Sequence, residues 1–173
     1  MKLLALLLSS MIFIYANDSS QALLDLGCKY LNNKDYESAK KAFEEASSKG
    51  EAQAMHNLGL MYINADGVAQ DYQKALFYFQ KALENNYINA AYDIGAMYKN
   101  GEGVSKDIPT AKKYYLLAAK NDYTLAQFEL SKIYGLEQNM KEFKYWAEQA
   151  IHNGYIPRTE NDKEIIIYLK TLQ

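Results

Sequence analysis

The chain has 173 residues, of which 49% are hydrophobic and 23% are charged, and it contains only two prolines. This composition is typical of a folded, helix-rich protein and excludes a disordered or collagen-like chain. The formal net charge is −2, with acidic and basic residues interspersed, so the sequence lacks the basic stripe needed to bind a phosphate backbone. We therefore expect no nucleic-acid partner.

The first residues have the pattern of a targeting signal. Lys2 precedes a continuous apolar run from Leu3 to Leu8, and a further apolar stretch ends at Ala16, before polar residues. This pattern predicts that residues 1–16 are a cleaved signal peptide and that the protein is periplasmic or secreted. An uncleaved anchor is the alternative, although the run is short for a bilayer span. We expect no membrane span after cleavage, because no later stretch is long and apolar enough.

An internal repeat organises the rest of the chain. Gly59, Gly95 and Ser131 are spaced 36 residues apart, and Gly27 lies 32 residues before Gly59. Repeats of this length are typical of arrays of helical hairpins. In each unit an alanine lies five residues before this position and a tyrosine three residues after it, as Ala22 with Tyr30, Ala54 with Tyr62, Ala90 with Tyr98, and Ala126 with Tyr134.

Small and aromatic residues recur at helical spacing within each unit. In the first helix the alanine, the glycine and the tyrosine share one face. A glycine inside a helix costs about 1 kcal/mol relative to alanine, so we expect it where a second helix approaches closely. The second helices repeat the pattern of a small residue, an aromatic residue and a small residue, as Ala75, Phe79 and Ala82 or Ala111, Tyr115 and Ala118. The sequence therefore predicts an all-α fold of four helical hairpins.

The repeat also predicts the boundaries of the units, at about residues 20–51, 52–87, 88–123 and 124–155, within an array spanning 20–155. The two central units carry four extra residues in the loop between their helices, at 65–68 and 101–104. Beyond Tyr155 the expected small residues are replaced by polar ones, which predicts a C-terminal capping helix within 156–173. We expect left-handed backbone conformations between hairpins at Gly50, Asn86, Asp122 and Gly154.

These residues carry a family resemblance. The pattern A-x-x-x-[LI]-G-x-x-Y, then G-V-x-x-D, then A-x-x-[YF]-[YF]-x-x-A, runs from Ala54 to Leu83 and again from Ala90 to Ala119. It resembles the Sel1-like repeat, a variant of the tetratricopeptide repeat with a longer internal loop, over about Gln21 to Tyr155. The resemblance implies a right-handed α-solenoid that acts as a protein-interaction scaffold, and the predicted signal peptide implies that this scaffold is exported. Because the family is recognised by scaffold residues, the resemblance does not identify the ligand.

The resemblance also implies where a ligand would bind. In tetratricopeptide repeats the ligand lies on the concave face and contacts residues of the first helices, and the aligned positions suit a peptide or an extended protein segment. Asparagine offers a peptide backbone both a donor and an acceptor, and aromatic rings offer contact area at low entropic cost. The alternative is that the aromatic positions only pack against the second helix of their own hairpin. The candidate ligand-binding residues are Gln53, His56, Asn64, Asn89, Tyr92, Lys99, Asn100 and Phe128.

An enzymatic alternative follows from a subgroup of the same family. Secreted, cysteine-rich Sel1-like proteins are described as β-lactam-binding or weakly β-lactamase-like, and they pair two cysteines within each repeat. This chain has one cysteine, Cys28. The Ser-x-x-Lys pattern occurs once, from Ser38 to Lys41, without the Ser-Asp-Asn and Lys-Thr-Gly motifs that accompany it in serine β-lactamases. We therefore predict no catalytic residue.

The sequence offers no recognisable metal or cofactor site. His56 and His152 are the only histidines, and neither lies in a His-Glu-x-x-His pattern, so we predict no metal and no cofactor. Cys28 is interpreted as a half-buried small apolar residue. In an oxidising compartment it could instead form an intermolecular disulfide and so a dimer.

Overall fold

The computed structural model describes residues 19–171, and all the regular secondary structure within them is helical. The predicted signal peptide lies outside the described residues. The described helices are α1 (19–32), α2 (Tyr36–Ser48), α3 (Ala52–Asn64), α4 (Tyr72–Glu84), α5 (Ala90–Asn100), α6 (Ile108–Ala119), α7 (Thr124–Leu136), α8 (Met140–His152) and α9 (Glu160–Thr171). The all-α prediction is confirmed.

Side chains with an oxygen acceptor begin the second helix of each hairpin. The Asp107 carboxylate accepts hydrogen bonds from the Thr110 hydroxyl at 2.5 Å and from the Thr110 backbone N–H at 3.1 Å. These bonds lower the pKa of Asp107, and they satisfy a backbone donor that has no partner within the helix. The four residues that cap helices in this way are Asp35, Asp71, Asp107 and Asn139.

The chain turns between hairpins at residues in the left-handed conformation. Gly50 has a φ of 88° and Gly154 a φ of 84°, while Asn86 and Asp122 adopt 68° and 59°. These are the four positions expected from the repeat, so that prediction is confirmed. Glycine adopts this conformation without steric cost, and asparagine and aspartate tolerate it better than other residues.

The glycines of the first helices lie directly against aromatic rings of the second helices. A Cβ atom added to Gly59 would lie 2.5 Å from the Phe79 ring, and one added to Gly95 would lie 2.8 Å from the Tyr115 ring. Both distances are too short for a methyl group, so the expected close approach of the two helices is confirmed. The helices therefore pack through an aromatic ring that covers a glycine.

The described residues divide between Ala90 and Ala91 into two compact units. The first unit contains α1 to α4, and α3 packs against α4. The second unit contains most of α5 together with α6 to α9, and α7 packs against α8. The largest buried side chains are Phe43, Leu58, Met61 and Phe79 in the first unit, and Ile94, Met97, Tyr115, Phe128 and Leu130 in the second.

The last helix, α9, is anchored at its beginning by a buried carboxylate. Burial alone would raise the pKa of Asp162, but hydrogen bonds from the Arg158 backbone N–H, the Tyr155 hydroxyl and Thr159 lower it. The Tyr155 hydroxyl donates to this carboxylate at 2.8 Å. Further along the helix, Leu169 is buried against α8. The start of α9 is thus tied to the end of the preceding hairpin.

Candidate functional site

In the first unit the candidate residue His56 packs against neighbouring aromatic rings. His56 is half-buried, and its ring lies 5.2 Å from the Phe79 ring and 5.0 Å from the Tyr87 ring, measured between centroids. Phe79 belongs to the second helix of the same hairpin, and Tyr87 follows that helix. The contacts of His56 therefore match the packing alternative.

The second unit repeats this arrangement. Tyr92 lies between the rings of Tyr115 and Tyr123, with centroids 5.6 Å and 5.2 Å away. Burial, together with the nearby Glu129 carboxylate, raises the pKa of Tyr92 to about 12. Tyr92 remains half-buried, so part of its surface faces solvent. Tyr92 can therefore pack within its hairpin and also contact a ligand.

Phe128 departs from the prediction, since it offers no surface to a ligand. Its side chain is only 1% exposed, because the Tyr155 ring stacks on it at 4.0 Å. The Lys132 ammonium group also lies 5.5 Å from its ring centroid. We therefore assign Phe128 to the core of the second unit and leave it out of the candidate surface.

The predicted asparagine positions are exposed but partly engaged in local hydrogen bonds. The Asn64 amide lies 3.4 Å from the Asp66 carboxylate, and the Asn100 amide lies 3.3 Å from the Glu102 carboxylate. Both bonds link the end of a first helix to the loop that follows. The remaining candidates of the first unit, Gln53 and Asn89, are exposed.

Two of the predicted residues, Lys99 and Asn100, line an open groove of about 560 Å³ within the second unit. The groove lies where the end of α5, the start of α6 and the end of α7 come together. Its apolar surface comes from α6 and α7, and its polar rim carries three lysines. The lining residues are Lys99, Asn100, Lys106, Ile108, Glu129, Lys132, Ile133, Leu136 and Glu137.

Ion pairs hold the polar rim of the groove in place. Glu129 accepts from the Lys99 ammonium group at 2.8 Å and also pairs with Lys132 on its own helix. Its side chain is only 14% exposed, so the carboxylate is shielded from solvent. The Lys112 ammonium group lies 2.7 Å and 2.8 Å from the two carboxylate oxygens of Glu137, which also lines the groove.

Leu136 is one of the seven lining residues that the sequence analysis did not name. Its side chain is 87% exposed, more than any other large hydrophobic residue of the described chain. In the fourth repeat it occupies the position at which the other three repeats carry Asn32, Asn64 and Asn100. This break in the asparagine series was the available signal. Full burial of such a side chain in an interface contributes about 1.5–3 kcal/mol.

The described residues provide no observation in favour of metal binding or catalysis. No group of three or more histidine, cysteine, aspartate or glutamate side chains among residues 19–171 could hold a metal ion. Ser38 is half-buried in the first turn of α2, where its backbone N–H donates to the Asp35 cap. Burial raises the pKa of the half-buried Cys28 thiol, the nearby Asp25 carboxylate raises it further, and a contact with the Asn57 amide at 3.8 Å lowers it. Nothing here supports the β-lactam alternative.

Solved structures share this fold. A Sel1 repeat protein from Oxalobacter formigenes is 24% identical with a TM-score of 0.76, and the match covers 91% of this chain and 75% of that one. The c5321 protein, a protective antigen of uropathogenic Escherichia coli with an SLR fold, is 28% identical with a TM-score of 0.76. That match covers 84% of this chain but only 33% of c5321.

A more distant neighbour is the cysteine-rich protein B of Helicobacter pylori. It is 23% identical with a TM-score of 0.51, and the match covers 65% of this chain and 86% of that one. This likeness concerns the fold alone. No curated protein sequence matches the chain.

The family itself is identified by sequence. The model of the Sel1 repeat matches residues 52–87, 88–123 and 124–155, more than half of the chain. Among the described helices, none is long and apolar enough to cross a membrane. The Sel1 repeat fold is a generic scaffold for protein–protein interaction. The chain is therefore a member of the Sel1 repeat family, with the all-α repeat fold of a solenoid.

Proposed function

We propose that this protein is an exported scaffold that binds an extended protein segment through residues of its helical hairpins. In the second unit the main contact is the groove beside Leu136. The observation that carries this proposal is the exposure of Leu136 next to an open, largely apolar groove. Leu136 is continuous with the apolar residues of the groove, and a contiguous exposed apolar patch of this kind marks an interaction surface.

The composition of the groove supports a protein ligand. Interfaces between proteins place apolar side chains at the centre and polar groups at the rim, and a few anchoring contacts provide most of the binding energy. Ile108, Ile133 and Leu136 are the apolar residues of the lining, and Lys99 and Asn100 are among its polar residues. The groove admits one or two side chains of a partner, which suits an extended segment.

The N-terminal sequence supports export. The N-terminal pattern of Lys2, the run Leu3 to Leu8 and the small residue Ala16 is that of a signal peptide. Fractionation of a bacterial host and N-terminal sequencing would test export. A mature chain beginning near Asn17 is expected, whereas an intact N-terminus in the cytoplasm would refute export.

Binding can be tested without knowing the natural partner. Peptides would be selected from a random display library on the purified chain, and their affinities would be measured by fluorescence anisotropy. We expect Leu136→Asn to weaken the selected peptides about tenfold, which corresponds to about 1.4 kcal/mol. The matched control is Ile167→Asn, which removes another exposed aliphatic residue of the second unit outside the groove.

The control should change the affinities by less than about twofold, since Ile167 does not line the groove. The proposal fails if no peptide is enriched. It also fails if the selected peptides bind Leu136→Asn and the wild-type chain equally well.

A further inference from the structure

The charges around the groove indicate which kind of segment it binds, provided that the groove is a binding site as proposed above. We infer that its ligand is an acidic segment in which aspartate or glutamate residues flank a large apolar side chain. The acidic side chains contact Lys99, Lys106 and Lys132. The apolar side chain packs against Ile133 and Leu136.

The groove carries more positive than negative charge, in contrast to the chain as a whole, whose net charge is −2. Three lysines and two glutamates line it. Lys112 adds a fourth ammonium group through its contact with Glu137 at 2.7 Å. Glu102, which accepts from Asn100 at 3.3 Å, and Asp107, which caps α6, are acidic neighbours that offset part of this charge. The lysines of the lining itself therefore favour an acidic ligand over a basic one.

The lysines are arranged to receive carboxylates. Glu129 pairs with both Lys99 and Lys132, which restricts two long side chains before any ligand arrives. Each ammonium group has three N–H donors, so one carboxylate of the protein does not exhaust them. Because these side chains are already ordered, less conformational entropy is lost on binding.

The loop between α5 and α6 also contributes to the lining of the groove. Lys106 is exposed and directly precedes Asp107, the residue that caps α6. Ile108, the first residue of α6, faces the groove. The cap fixes this short segment, so the ammonium group of Lys106 and the side chain of Ile108 are presented on a defined backbone. An acidic residue and an apolar residue of the ligand can thus be bound side by side.

The experiment uses three synthetic peptides that are acetylated and amidated, so that only side chains carry charge. The first repeats Leu-Glu-Asp, the second replaces the acidic residues by lysine, and the third replaces leucine by alanine. Binding to the full chain would be followed by fluorescence anisotropy at rising salt concentration. We expect only the first peptide to bind well, and its affinity to fall with salt because ion pairs are screened.

Variants in which a lysine is replaced by glutamate would show where the acidic peptide binds. Lys106→Glu lies in the groove and Lys144→Glu lies on α8, outside the groove lining, and both change the net charge by the same amount. We expect Lys106→Glu to weaken the acidic peptide about tenfold or more, and Lys144→Glu to weaken it less than about twofold, because only the first change places a like charge against the ligand. Circular dichroism would establish that both variants remain folded.

The outcomes separate this inference from the proposed function. Equal binding of the basic peptide, or an unchanged affinity of Lys106→Glu, overturns the inference, while a loss on Leu136→Asn would still support a groove for neutral segments. No effect of Leu136→Asn on any peptide overturns the proposed function as well. Sedimentation equilibrium would test whether the groove binds a second copy of the chain instead. If the wild-type chain self-associates and Leu136→Asn does not, the groove binds a second copy, and the inference is overturned.

Discussion

The two units of the molecule share one packing scheme but differ at the positions that this scheme leaves free. In the first unit Gly59 lies under Phe79, and in the second Gly95 lies under Tyr115, with nearly the same distances. The ends of the first helices differ, because the first unit carries Asn32 and Asn64 at the places where the second carries Asn100 and Leu136. Packing residues thus explain the fold, and departures from the repeat at exposed positions indicate function.

The largest expected loss of stability follows from removing an aromatic ring that covers a glycine. Phe79→Ala removes a fully buried ring and should lower the free energy of unfolding by about 3–5 kcal/mol, because it leaves a cavity. Phe77 is the matched control, since it lies on the same helix with 50% of its side chain exposed. Phe77→Ala should cost less than about 1 kcal/mol.

Denaturant unfolding monitored by circular dichroism would measure both variants. Similar losses for the two phenylalanines would contradict the assignment of Phe79 to the shared packing scheme.

The glycines provide the next test of that scheme. In Gly59→Ala the new methyl group would lie 2.5 Å from the Phe79 ring, and relief of this overlap should cost about 1–3 kcal/mol. Gly135 is the matched control, because its nearest neighbour, the Phe143 ring, would lie 3.3 Å away. There the higher helix propensity of alanine, about 1 kcal/mol, should offset the tighter contact.

Thermal unfolding of both variants would decide the point. Gly135→Ala is expected to unfold close to the wild-type temperature, and a stable Gly59→Ala would show that the two helices can move apart freely.

The periodic part of this scheme could be predicted from the sequence. Helix content, the left-handed residues and the close approach at Gly59 and Gly95 follow from local spacing, because the same constraint acts in each repeat. The groove was harder to predict, since Lys99, Lys106 and Leu136 come from two helices and a loop. Exposure also depends on neighbouring side chains, and Phe128 was misjudged because Tyr155 stacks on it.

Alkaline pH probes the half-buried tyrosine of the second unit. Burial raises the pKa of Tyr92 from 10.0 to about 12, so the folded state favours the neutral phenol. The corresponding stability is fully present below pH 10 and is lost as the pH rises towards 12. Tyr92→Phe should therefore lose less stability over this range than the wild-type chain.

Denaturant unfolding at a series of pH values would measure this difference, and the ultraviolet absorbance of tyrosinate would follow the ionisation itself. Parallel stability curves for the two proteins would refute the burial of the Tyr92 hydroxyl. Tyr115, whose pKa is also raised by burial, is present in both proteins, so the difference between the two curves reports mainly on Tyr92.

The smallest expected effect on stability is at the residue with the largest expected effect on binding. Leu136→Asn restores the residue that the other three repeats carry at this position. Because 87% of the Leu136 side chain is exposed, the free energy of unfolding should change by less than about 0.5 kcal/mol. Leu130→Ala, on the same helix but fully buried, should cost about 2–5 kcal/mol.

Denaturant unfolding of these two variants would establish whether Leu136 belongs to the fold or to the binding surface. A loss of stability in Leu136→Asn comparable to that in Leu130→Ala would place Leu136 in the core. A stable Leu136→Asn that no longer binds the acidic peptide would separate the two roles within one helix. The exposure of Leu136 would then be explained by the partner that covers it, because the packing of the hairpin does not require a leucine there.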